Sequence, residues 1–161
     1  MGKEERRGRV KVFEVNIYIE TSIKAPKAGK AAGMWLIEFI TSSDIPVTRS
    51  GMITERNTTE NALVLKLLTE AFRKLTKTCL VSVNTECGHV LSVVNNGWLP
   101  GWEIGGWINK KGRPVANREL WQELSTLMKR HSVEFRSGWH AYKLVMDAQV
   151  EKAREGMDGK A

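Results

Sequence analysis

Cysteine is scarce in this 161-residue chain, and long apolar runs are missing altogether. The two cysteines, Cys79 and Cys87, are too few and too close in sequence for a disulfide framework, and no second Cys or His pair stands near them at metal-binding spacing. Free thiols are expected. No apolar stretch approaches the roughly 20 residues that cross a bilayer, and the charged opening MGKEERRGRVK has no apolar centre of a secretory signal. A cytoplasmic protein is therefore expected. Internal repeats and low-complexity linkers are also lacking, so the chain reads as one domain over 12–155 between a basic tail, 1–11, and a polar tail, 156–161. Acidic residues are outnumbered by basic ones, 18 to 25, and the net charge of +7 with a pI near 9.6 favours a polyanionic partner. A merely solvated basic surface would give the same balance.

What is present has a clear change of period. Phe13, Val15, Ile17 and Ile19 alternate as in a strand with one buried face, and GMWLIEFITS (33–42) and VTRSGMITE (47–55) follow as strands between Gly and Pro punctuation. From Thr58 onward Leu63, Leu67, Leu68, Ala71, Phe72 and Leu75 recur at helical spacing, with Thr58 or Thr59 as N-cap. CLVSV (79–83) reads as a central strand, and helices are expected near 86–95, 117–130 and 141–155, with a short strand at 132–136. Three strands, a helix, a strand, helices, a strand and a helix fit an α/β domain with helices on both faces of a mixed sheet.

The segment GWLPGWEIGGWINKKGRPVANRELW (97–121) holds Trp98, Trp102, Trp107 and Trp121, four of the six tryptophans, interrupted by Lys110, Lys111 and Arg113. Cations attract phosphates while indole faces pack on sugars or bases, so the interleaving suits nucleic acid. Core packing is the plainer use of an indole; it is expected for Trp121 and Trp107, whereas Trp98 is expected to touch nucleic acid.

The tryptophan spacing, the string KKGRPVANRELW, the helix start NTTEN and the strand end TEC together resemble the type one ribonuclease H family over about residues 12–153. The resemblance implies a five-stranded mixed sheet whose first three strands are antiparallel, and a basic aromatic protrusion that holds the DNA strand of an RNA/DNA hybrid. It also implies phosphate contacts for Thr59 and Asn117 and a minor-groove role for Asn61. Read locally, Thr59 and Asn117 are helix caps, and a helix start also offers free amides to a phosphate.

The family cleaves RNA with two divalent ions, usually Mg2+, held by four carboxylates. The matching positions here are Glu20, Val64, Glu86 and Asp147, of which only Asp147 keeps the family's residue. Glutamate for aspartate at positions 20 and 86 lengthens each arm by a methylene, and a misplacement of about 1 Å can cost roughly a hundredfold in rate. Val64 supplies no oxygen where the family has a glutamate, and Glu60, one helical turn of about 5.4 Å away, cannot simply replace it. Three converging carboxylates would still favour a residual cation, Mg2+ or Mn2+, over none. His140, in RSGWHAYK, lies near the family's mobile auxiliary histidine but too close in sequence to Asp147 for residue-by-residue assignment; a histidine in such a loop is commonly exposed.

Two functions follow from this pattern. One is a module that binds RNA/DNA hybrid, or related dsRNA or dsDNA, with hydrolysis weak or lost. The other is an active metal-dependent endoribonuclease acting through Glu20, Glu86 and Asp147. Val64 weighs toward the first, and a monomer is expected. A protein-interaction domain on the same scaffold is a third use, since a fold does not fix a function.

Overall fold

A computed structural model describes residues 13–41, 43 and 45–158. The basic tail expected at 1–11 lies outside the described residues.

Strands β1 (Phe13–Thr21), β2 (Gly29–Ile40) and β3 (Val47–Thr58) form an antiparallel meander, and β4 (Cys79–Asn84) and β5 (Ser132–Arg136) extend it in the order β3-β2-β1-β4-β5. The β1–β4 and β4–β5 pairs are parallel. Val15, Ile17 and Ile19 of β1 are buried, as the alternation predicts, on the face that carries Trp35, Ile37, Val81 and Val83. Phe13, at the open end of the strand, is exposed. The opposite face is also covered: Tyr18, Ala32, Met34 and Leu36 pack on Met146 and Val150.

Helix α1 (Glu60–Arg73) lies on the first face, burying Leu63, Val64, Leu67, Leu68, Ala71 and Phe72. It begins where Thr59 Oγ1 accepts the Ala62 N–H at 3.1 Å, which settles the cap on Thr59. A Cβ at Gly33 would stand 2.6 Å from Leu67 Cδ1, so this glycine lets α1 sit close on β2. Helices α2 (Gly88–Asn95), α3 (Trp98–Ile104) and α4 (Arg118–Met128) follow β4, and α5 (Lys143–Asp158) covers the second face.

Two local expectations change. The tryptophan segment contains a short helix, α3, which its glycines hide from a periodicity reading. The last helix passes the expected boundary at 155 and reaches Asp158, whose carboxylate takes Lys30 Nζ at 2.9 Å and Arg154 Nη1 at 2.7 Å. Among the described residues no helix is long and apolar enough to cross a membrane.

Candidate functional site

The topology brings three distant carboxylates to one place. Glu20 stands near the end of β1, Glu86 just beyond β4, its parallel neighbour, and Asp147 on the second turn of α5. A single ammonium joins them: Lys143 Nζ lies 3.0 Å from Glu20 Oε1, 2.7 Å from Glu86 Oε1 and 3.4 Å from Asp147 Oδ2. Lys143 is the first residue of α5, so it reaches Asp147 across one helical turn.

Glu20 is 2% exposed, and a buried carboxylate must be paired to remain charged. Its Oε1 has Lys143 and, at 3.9 Å, Lys24 from the β1–β2 turn; its Oε2 lies 2.8 Å from His140 Nε2. The Tyr142 backbone N–H donates to His140 Nδ1 at 3.2 Å, which leaves the ring proton on Nε2, donated to Glu20. The imidazole stacks on Tyr18 with centroids 4.4 Å apart. The expectation of an exposed loop histidine is therefore corrected: His140 is buried, because the carboxylate and the Tyr18 ring hold it.

The charges respond accordingly. The hydrogen bond from Lys143 holds the Glu86 carboxyl below the usual range. Burial works against the Lys143 ammonium, but bonds to Glu86 and Glu20 and the charges of Glu20 and Asp147 outweigh it and raise its pKa above the ordinary lysine value. Glu60, at the start of α1, is pushed up by burial and by the charge of Glu86, with Lys24 opposing.

Val64 is buried in the main core and offers no oxygen. Carboxylate oxygens are suitable donors for a hard divalent ion. Here they converge on Lys143 instead, and among the described residues no group of three or more His, Cys, Asp or Glu side chains is disposed to hold a metal ion. As arranged, the site does not fit a divalent pair.

A second polar group supports the first. Glu38 accepts from Asn16 Nδ2 at 2.9 Å, Tyr18 OH at 3.2 Å and Tyr142 OH at 2.7 Å. This anchors Tyr18, the ring on which His140 stacks, and Tyr142 beside it. Sequence reading missed Lys143, Lys24 and Glu38. For Lys143 the signal was legible, since a cation four residues before Asp147 on a helix must share its face.

The aromatic segment forms a separate feature. Trp98 is 43% exposed and Trp121 fully buried, and Trp102 bridges them, its ring centroid 6.3 Å from Trp98, 6.1 Å from Trp107 and 5.9 Å from Trp121. Trp107 is only partly buried and takes a left-handed backbone with φ 63°, held by its N–H to Trp102 O and its carbonyl to Val115 N. Lys110, Lys111 and Arg113 are exposed on a tight turn closed by Asn109, whose Oδ1 accepts the Lys111 and Arg113 amides at 2.9 and 3.1 Å. A surface hollow of about 500 Å³ is lined by Trp98, Trp102, Ile108 and Lys110, among others.

Asn117 stands at the N-cap position of α4 with φ 58° and makes no side-chain cap bond, which corrects its reading as a cap. Asn61 Oδ1 accepts the Cys87 thiol at 3.2 Å, linking the first turn of α1 to the residue after Glu86. Both cysteines are free and buried.

Comparison with known proteins defines the lineage of this sheet. The RNase H family profile matches residues 13–137. Ribonuclease H of Cupriavidus necator is 35% identical over 127 residues, 79% of this chain and 80% of that protein. Ribonuclease H of Clostridium botulinum is 35% identical over 80 residues, which cover 50% of this chain and about half, 54%, of that one. The chain belongs to the RNase H family. The crystal structure of LC9-RNase H1, a type 1 RNase H with the type 2 active-site motif, shares the fold with a TM-score of 0.74 and 24% identity over 92% of this chain and 75% of that one. Foamy viral protease-reverse transcriptase in complex with RNA/DNA hybrid aligns with a TM-score of 0.64 and 14% identity, over 89% of this chain and 20% of that chain.

Proposed function

We propose that this protein binds RNA/DNA hybrid, or a related duplex, through its basic tryptophan-bearing segment, and that hydrolysis of the RNA strand is weak or lost. The observation that carries the second half is Val64, a buried aliphatic side chain at the position that the sequence resemblance matches to the family's fourth ligand. The first half is supported by the exposed Trp98 beside the Lys110–Arg113 turn, by the net charge of +7 and by likeness in fold to a protein solved with RNA/DNA hybrid. In this reading Lys110, Lys111, Arg113, Thr59 and Asn117 meet phosphates, Trp98 packs on a sugar or base, and Asn61 faces the minor groove. The functional unit is residues 12–155, monomeric and cytoplasmic. Glu20, Glu86 and Asp147 are the remnant of a Mg2+ or Mn2+ site.

The test is a labelled hybrid with Mg2+ and with Mn2+, followed for binding and for cleavage. Binding should weaken steeply between about 50 and 200 mM salt, as expected when several phosphates are neutralised. Cleavage by the native chain should be absent or slow, and Val64→Glu should not lower it. Salt-independent affinity for every duplex would refute the binding role. Rapid native turnover abolished by Asp147→Asn would establish instead that the chain is an active ribonuclease.

A further inference from the structure

The acidic rim has an occupant of its own. Lys143 carries three N–H donors, and three carboxylates surround it: Glu86 and Glu20 at 2.7 and 3.0 Å, and Asp147 at 3.4 Å. The position is otherwise unfavourable for a cation, because the first residue of a helix sits at the positive end of the peptide dipoles and the side chain is only 22% exposed. The carboxylates therefore hold the ammonium there. Lys24 adds a second positive charge 3.9 Å from Glu20, and His140 bonds the other Glu20 oxygen, so both oxygens of the innermost carboxylate already have a partner. A divalent ion entering this space would have to expel Lys143 into solvent and meet the charge of Lys24.

We propose that Lys143 is a built-in counter-ion that takes the place of a divalent cation between Glu20, Glu86 and Asp147. The acidic rim is thereby neutralised in part without metal, and removing the lysine side chain creates a divalent-cation site. This rests on the proposed nucleic-acid role only in its consequence, namely that duplex binding needs no divalent ion. The ammonium supplies one positive charge against three negative ones. Duplex is thus engaged through the cationic turn at Lys110–Arg113 rather than through a bridging metal.

Mn2+ binding to the full chain, followed by the electron paramagnetic resonance of free Mn2+, tests the proposal. The native protein should show no site sensitive to Asp147→Asn. Lys143→Ala should bind Mn2+ at least about tenfold more tightly than the native chain, as expected when a like charge leaves a carboxylate cluster, and adding Asp147→Asn should abolish the gain. Lys143→Arg keeps the charge and should gain nothing. Native binding as tight as that of Lys143→Ala, or a native site lost in Asp147→Asn, overturns the proposal; the second comparison stands even if Lys143→Ala fails to fold. Hybrid affinity measured in chelator and in Mg2+ at equal ionic strength should agree. Loss of all hybrid binding would refute the nucleic-acid reading and leave the Mn2+ result intact, whereas affinity that requires Mg2+ would count against the built-in counter-ion.

Discussion

Replacing Lys143 with methionine keeps most of the side chain's length and removes its charge, so the variant isolates what the ammonium contributes to stability. Breaking a fully buried ion pair by removing one partner costs about 3–5 kcal/mol, whereas an exposed pair contributes roughly 0–1 kcal/mol. The site lies between these limits: Glu20 is buried, but Glu86 and Asp147 are 45% and 43% exposed, and His140 and Lys24 still serve Glu20 when Lys143 is gone. We therefore expect a loss of about 2 kcal/mol at neutral pH, a fall in Tm of about 4–8 °C for a chain of this size. The loss should depend on pH with a defined sign. Glu86 has its folded pKa depressed by Lys143, so its contribution is present above the unfolded glutamate value of about 4.3 and fades as pH falls through the lower folded value. Urea unfolding followed by circular dichroism at pH 7 and near pH 3 gives the native-minus-variant difference, which should shrink at the acid end. A difference below about 0.5 kcal/mol at pH 7, or one equal at both pH values, would refute the reasoning.

Other substitutions separate packing from recognition. Trp121→Ala should destabilise by about 3–5 kcal/mol, because its indole is fully buried, and Trp98→Ala should leave stability nearly intact while costing about 1–3 kcal/mol of duplex affinity; equal effects of the two in both assays would contradict the division. Thr59→Ala should cost about 1 kcal/mol in thermal unfolding through loss of the α1 cap, and a neutral result would remove that role. In Glu38→Gln the Tyr142 phenol, raised to about 12 chiefly by its hydrogen bond to Glu38, should titrate closer to 10. Tyr18, raised to about 12 by burial first, should move less, which phenolate absorbance would resolve.

The sheet was legible in the sequence because its strands keep simple periods: alternation in β1, a β-branched run in β4 and the heptad-like leucines of α1 each follow from burial on one or two faces. The helix α3 was not, since Gly97, Gly101 and Gly105 obscure a seven-residue element whose register is set by tryptophan packing. The meeting of Glu20, Glu86 and Asp147 follows from their positions along the chain, and in the structure they gather around one lysine. The spacing of Lys143 and Asp147 shows only a shared helical face; the contacts of Lys143 with Glu20 and Glu86 arise from the tertiary fold. The burial of His140 is not legible in its loop sequence, because Glu20 and the Tyr18 ring that hold it are more than a hundred residues away along the chain. Asn117 shows the opposite limit: its residue type suits a cap, yet its left-handed backbone prevents the usual bond.

The Lys143 ammonium stands among Glu20, Glu86 and Asp147, where the proposal has it take the place of a divalent ion. Crystals grown with Mn2+ and measured for anomalous scattering test it most directly. Lys143 Nζ is expected within hydrogen-bonding distance of Glu20 and Glu86, with no anomalous peak among the three carboxylates. A strong peak between Glu20, Glu86 and Asp147, with the Lys143 side chain turned out to solvent, would contradict it.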